Sequence, residues 1–317
     1  MILPLLAEIP FPGWDPVAIR LGPVQMRWYG LSYLAAFIIA GWLLDKLGRD
    51  GFVALTKSAV TDLIGWLVVG VMVGGRLGYA LFYDRAMFLH PAQLVQVWKG
   101  GLSFHGGLIG VVLLSLWFAR RRGIPWLRLA DAMALAVPFG IFLVRCANFI
   151  NGELYGRITT AAVPWAMRFP TDPVARFLSR DLAGASTLRW HEGFVRIKQS
   201  GEWARIAPMI PLRHPSQLYE ALLEGALIAL VLWAVYRRRG SEYQPGRYAA
   251  LFLLLYAACR FVVEFTRQPD AQLGFVLGPF SMGQLLSVLV ALGAAAIYRW
   301  PGRDSNARSP TDPPVAL

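Results

Sequence analysis

Apolar residues along this chain gather into seven long runs divided by short polar segments. The runs cover approximately Trp28–Leu47, Ala59–Tyr83, Leu102–Ala119, Leu129–Ile150, Pro215–Tyr236, Tyr248–Phe265 and Phe280–Tyr298. Each is close to the ~20 mostly apolar residues that cross a bilayer as a helix. The pattern predicts an all-α polytopic membrane protein with seven transmembrane helices. The stretch from Asn151 to His214 breaks it, being too polar and too rich in proline to span. Within it, "RWHEGFVRIKQSGEWARI" alternates like short strands around a Ser-Gly turn. A small head domain of mixed or β character is expected there.

Four segments follow. Residues 1–150 hold a lead-in and spans one to four, residues 151–214 the head domain, residues 215–300 spans five to seven, and residues 301–317 a tail. The opening "MILPLLAEIP" lacks a basic n-region and reads as an amphipathic lead-in rather than a signal peptide. The tail "PGRDSNARSPTDPPVAL" has the composition of disorder. Glycines spaced by four, Gly70/Gly74/Gly78 and Gly106/Gly110, suit close helix approach.

Charge gives the direction. The net charge is +12, although only 16% of residues are charged, below the ~25% of soluble domains. On a soluble chain that excess would suggest nucleic acid. Here the basic residues sort by side. Fourteen Lys and Arg fall in one set of loops and five in the other. The positive-inside rule then puts the N-terminus outside and the C-terminus in the cytoplasm. The head domain is outer, and nucleic acid is not expected as a partner. The two cysteines, Cys146 and Cys259, lie inside apolar runs and form neither a disulfide framework nor a metal site.

Ionisable groups inside spans are costly and are functional candidates by default. Arg76, His105, Arg145, Arg260 and Glu264 interrupt the runs. Given the inferred orientation, His105, Arg145, Asn148, Glu153, Arg260, Glu264, Arg267 and Tyr29 all fall in the outer half of the membrane or at its surface. Arg260 and Glu264, four apart, could pair along one helix face. Arg145 has no acid at helical spacing, so it needs a partner from another helix or an anionic ligand, with the ligand favoured. Asp62 is the weak partner candidate for Arg76, which has a structural reading as well. His105 is flanked by glycines in "SFHGGLIG", which leaves room for a ligand. Arginines suit phosphate because the planar fork binds two oxygens. At that depth, the available phosphate is a phospholipid head group. A transporter or lipid scramblase would carry buried charge on to the inner face, where only Asp131 qualifies.

The blocks "RWYGLSYL", "GGRLGYALFYD", "SFHGGLIG", "VRCANFINGELYGR", "HPSQLYEALLEG" and "CRFVVEFTRQPD" resemble those of the bacterial phosphatidylglycerol–prolipoprotein diacylglyceryl transferase family. The likeness covers nearly the whole chain. The family signature G-R-x-G-N-F-x-N-x-E-x-x-G-R is matched from Val144, except that Val144 and Ala147 stand where the family carries glycine. The resemblance implies an enzyme of the bacterial inner membrane whose site faces the outer leaflet. Its reaction moves the diacylglyceryl group of phosphatidylglycerol to the lipobox cysteine thiol of a prolipoprotein signal peptide. No cofactor or metal is implied, and membrane lipid is a partner. A catalytically dead relative is disfavoured because Arg145 and His105 are both present. By the same resemblance, His105 is the general base, Arg145 and Arg260 stabilise the departing phosphate with Arg267 assisting, and Glu153 and Glu264 orient those arginines. Tyr29, Asn148 and Asn151 hold the head group, and Gly156 allows a tight turn.

Overall fold

A computed structural model describes residues 9–22, 24–97, 100–180, 182, 189–268 and 275–299. Most of the expected lead-in, residues 1–8, and the expected tail, residues 301–317, lie outside the described residues. An antiparallel hairpin of β1 (Val17–Leu21) and β2 (Val24–Arg27) leads into α1 (Trp28–Arg49). There follow α2 (Lys57–Phe82), the short α3 (Pro91–Leu94), α4 (Phe104–Arg121) and α5 (Trp126–Ile150). Short helices α6 (Pro173–Ser179), α7 (Trp190–Gln199) and α8 (Glu202–Ile206) come next. Helix α9 (Ser216–Glu220) passes through a π-helical stretch, Ala221–Leu227, into α10 (Ile228–Arg239). The series ends with α11 (Arg247–Val263), the pair β3 (Phe275–Leu277) and β4 (Phe280–Ser281), and α12 (Met282–Arg299).

The protein is therefore mostly helical, and all seven apolar runs are helices. Five are long and apolar enough to cross a membrane: α1, α2, α5, Ser216–Glu242 and α12. Large side chains such as Leu34, Ile38, Trp42, Leu230, Leu289 and Leu292 are exposed along them. That suits a multi-pass membrane protein, since outward apolar faces need an apolar solvent.

The strands expected over Arg189–Ile206 are helices α7 and α8, joined at Gly201 with φ of 80°. Phe194 and Ile197, three apart, are buried together with Gly193. Over so short a window, apolar spacing of three or four residues competes with alternation, and burial against Ala175, Ile206 and Ile210 selects the helix. The rest of the 151–214 segment is mixed, with isolated bridges joining Ile158 and Met167 to Arg213.

The chain falls into two compact units. The first comprises residues 1–38, 137–232 and 252–295, and the second 39–136, 233–251 and 296–317. In the second unit, α2 and α4 meet backbone to backbone. A Cβ on Gly78 would lie 2.7 Å from the Gly106 Cα, and one on Gly70 would lie 2.9 Å from the Gly110 carbonyl oxygen. The close approach expected from the glycine spacing is thus the α2–α4 contact.

The suggested Arg76–Asp62 pair does not form. Asp62 pairs with Arg122. Arg76, buried on α2, donates to the carbonyls of Gln93, Leu94, Gln96, Gly100 and Gly101. One guanidinium thus satisfies a loop that has no ladder of its own, which is a structural role. Asp131, also fully buried, accepts from the backbone N–H of Gly246 and Ala249 at 2.8 Å each and so caps the start of α11. This buried acid is thus a helix cap.

Candidate active site

In the first unit, α5 carries Arg145 and Asn148 toward its C-terminal end, then stops. The backbone turns through Gly152, φ 66°, and Leu154, φ 58°, the one non-glycine with positive φ among the described residues. A left-handed leucine is strained by about 1 kcal/mol or more. The start of α9 holds it: Gln217 Nε2 donates to the Glu153 carbonyl at 2.6 Å, and Ser216 Oγ to the Leu154 carbonyl at 2.9 Å. Both side chains are fully buried. The turn aims the Glu153 carboxylate back at α5, where Oε1 accepts from Asn148 Nδ2 at 3.0 Å and Asn151 Nδ2 at 3.1 Å.

Beyond the turn, Gly156 and Arg157 lie between two other strands of chain. The Gly156 N–H donates to the His214 carbonyl, and the Arg157 N–H to that of Thr266, both at 2.8 Å. The Arg157 guanidinium donates to the carbonyls of Arg267 at 2.7 Å and Glu264 at 3.1 Å, just past α11, where a helix leaves carbonyls without intrahelical partners. Gly156 has no positive φ, so its role is not the tight turn that was expected. A Cβ there would press into the Thr266 carbonyl and lie 3.0 Å from the His214 Cβ. The glycine serves a close approach.

The centre is an ionic network carried by α5, by the helix that begins at Ser216, by α11 and by the turn just after α11. Arg145 Nη2 lies 2.9 Å from Glu220 Oε2. Arg267 Nη1 lies 3.2 Å from Glu220 Oε1. Arg260 Nη2 lies 2.8 Å from Glu264 Oε2, while its Nη1 is 3.6 Å from Glu220 and 3.7 Å from Glu224. Glu220 and Glu224 are fully buried and Glu264 nearly so. Of the two partners expected for Arg145, an acid from another helix or an anionic ligand, the acid is present as Glu220. The expected Arg260–Glu264 pair is present.

Glu264 is seated at the start of α12. Ser281 Oγ donates to its Oε1 at 2.9 Å. Ser281 and Gln284 cap reciprocally, the Ser281 N–H on Gln284 Oε1 at 3.0 Å and the Gln284 N–H on Ser281 Oγ at 3.4 Å. Gly283 leaves the room, since a Cβ there would fall 2.8 Å from the Glu264 carboxyl carbon. A carboxylate at a helix N-terminus is favoured by the helix dipole. Below the network, Arg213 Nε meets Asp172 Oδ2 at 2.6 Å, and its guanidinium lies over the Tyr155 ring at 5.1 Å. Burial and the nearby Asp172 push the Tyr155 hydroxyl above its usual pKa. Burial also holds the His214 imidazole below its ordinary value.

Of the residues singled out from sequence, Arg145, Arg260, Glu264 and Arg267 converge. Asn148, Asn151 and Glu153 form an adjacent hydrogen-bonded triplet in which Glu153 meets amides. Tyr29, on α1, has its hydroxyl 3.2 Å from that of Tyr33. His105 belongs to the second unit, exposed on the first turn of α4, whose N-cap is Ser103. Cys146 and Cys259 are free and half-buried. Glu220 and Glu224 are the residues sequence reasoning missed. Two acids four apart inside an apolar run were the available signal.

A protein-family model described as prolipoprotein diacylglyceryl transferase matches residues 16–300. A phosphatidylglycerol–prolipoprotein diacylglyceryl transferase of Yersinia enterocolitica is 44% identical over 291 residues, covering 92% of this chain and 94% of that protein. The enzyme so named from Rhizobium meliloti is 42% identical over 305 residues, covering 93% and 95%. One from Yersinia pestis is 43% identical, covering 92% and 94%. With a family model matched over residues 16–300 and relatives 42–44% identical along nearly its whole length, the chain belongs to the prolipoprotein diacylglyceryl transferase family.

Proposed function

We propose that this chain transfers the diacylglyceryl group of phosphatidylglycerol to the lipobox cysteine thiol of prolipoproteins, the first step of bacterial lipoprotein maturation. The observation that carries the reading is the network of three partly exposed arginines held by three buried glutamates among apolar helices, a site suited to an anionic lipid head group. Family membership and the names of the relatives support the same substrates.

In the reaction, the thiol loses its proton and its sulfur bonds to the glyceryl carbon. The carbon–oxygen bond to phosphate breaks, and glycerol phosphate leaves with the electron pair. A free thiol ionises near ~8.5, so a base is useful at neutral pH. His105 is proposed for it. Arg145 and Arg260, with Arg267, stabilise the charge growing on the phosphate, which preplaced donors do well in a dry site. Glu220 and Glu264 fix the arginine forks. Asn148, Asn151 and Tyr29 contact the head group, and Glu153 holds the two amides.

The full reading has seven spans in the inner membrane, N-terminus out and C-terminus in, with residues 151–214 as the outer head and the site toward the outer leaflet. Purified protein in detergent, given phosphatidylglycerol and a lipobox peptide, is expected to yield a diacylglyceryl thioether by mass spectrometry. Folded protein that makes none would overturn the reading. His105→Gln should lose turnover most at neutral pH and regain part of it toward thiol ionisation. Near-full turnover from about pH 6 to 9 would remove His105 as the base.

A further inference from the structure

The six ionisable groups of the network do not share partners evenly. Glu220 has arginine nitrogens at 2.9 and 3.2 Å. Glu264 has one at 2.8 Å and the Ser281 hydroxyl at 2.9 Å. Glu224 is fully buried, its nearest cation is Arg260 Nη1 at 3.7 Å, and neither carboxylate oxygen has a hydrogen-bond partner among the described residues. The groups facing it are Glu220 on its own helix, Arg260, Tyr256 and Cys259 on α11, Arg145 on α5, and Arg267. None donates a hydrogen bond to it.

With every group ionised, three arginines and three glutamates sum to zero. Adding Arg157 and Glu153 at the rim leaves the balance unchanged. A neutral network offers no net attraction to a phosphodiester that carries one negative charge. Removing one carboxylate charge leaves the network at +1, equal and opposite to that phosphate. Glu224 is the carboxylate whose charge is least supported, because a buried ionised carboxylate without hydrogen bonds is the costly state. It lies inside the π-helical stretch between α9 and α10, and such stretches recur at functional sites.

We propose that Glu224 sets the charge of this site: it carries a proton whenever an anionic phosphodiester head group occupies the arginines, so lipid binding and protonation of Glu224 are coupled. The proposal rests on the function proposed above. When Glu224 ionises, the network returns to neutrality and its hold on the phosphate weakens. Glu220 and Glu264 stay ionised throughout as the counter-ions that fix the arginine forks.

The test is titration calorimetry of short-chain phosphatidylglycerol into the full chain in neutral detergent, across about pH 6 to 9, in two buffers of different ionisation enthalpy. Wild-type affinity should fall by up to about tenfold per pH unit on the alkaline limb, with uptake approaching one proton per lipid there. Glu224→Gln should bind with an affinity that stays level over that limb and take up no proton. A folded Gln variant that keeps the wild-type limb overturns the proposal, and so does one that loses lipid binding at every pH. Should the variant not fold, wild-type protein alone decides: binding without proton uptake anywhere in the range overturns it. Wild-type protein that does not prefer phosphatidylglycerol over phosphatidylcholine overturns the proposed function itself, a result distinguishable from binding that is merely uncoupled from protons.

Discussion

Arg145 illustrates how one partly buried side chain acquires two obligations. It is the counter-ion of Glu220 at 2.9 Å and the first candidate to meet phosphate. Removing it takes one cation from the buried Glu220 carboxylate and leaves Arg267 at 3.2 Å and Arg260 at 3.6 Å, so part of the compensation for that buried charge is lost and not all of it. Arg145→Gln should therefore lower the unfolding temperature in detergent as well as abolish turnover. Adding Glu220→Gln should cost less than the same change made in the wild-type protein and restore no activity, because one of the contacts it removes is already gone. Stability losses that simply add in the double variant would refute the pairing. Gly156→Ala is a cleaner probe of geometry, because the added methyl meets the Thr266 carbonyl and the His214 Cβ. A loss of about 1–3 kcal/mol is expected by thermal unfolding, with no change in charge.

Helices in this chain are held as much by remote caps as by their own ends. Asp131 on α5 caps α11 across more than a hundred residues of sequence. Asp131→Ala should leave two buried N–H groups unpaired and cost about 1–3 kcal/mol, read as a lower unfolding midpoint. The elements also mark what the sequence could say. Apolar runs of about twenty residues are legible because length and composition alone define them. The β1–β2 hairpin escapes that pattern-level reading, although "AIRLGPVQMR" alternates around a Gly-Pro turn. Helices α7 and α8 read as strands because Phe194, Val195 and Ile197 fit both periods until Ala175 and Ile210 choose the buried face. In the site, charged residues within apolar helices stood out individually. Their pairing did not, because Glu220 meets Arg145 only once α9 lies beside α5, and sequence spacing holds no record of which helices are neighbours.

At the scale of the whole molecule, pH and sidedness are the accessible variables. Burial lowers the His214 pKa in the folded state, so the unfolded chain binds more protons just below the ordinary imidazole value of about 6.5. Stability should be level above that pH and fall as acid is added through it, and His214→Gln should flatten the slope. An unfolding temperature that rises on acidification from about pH 7.5 to about 5.5 would contradict the sign. Orientation has its own check. A cysteine placed at Ser200 should react with an impermeant thiol reagent added outside intact cells, whereas one at Ser241 should react only after the membrane is opened. The α2–α4 contact adds a mechanical consequence. In the seven-span reading proposed above, acyl chains have no gap to enter where glycine backbones touch, so the pair would meet the bilayer as one wide inclusion. At ~1.5 Å per residue, α2 is about 39 Å long and α4 about 27 Å, on either side of the ~30 Å hydrocarbon thickness. Neither can tilt alone to relieve its mismatch, so a thinner or thicker membrane must deform around both together.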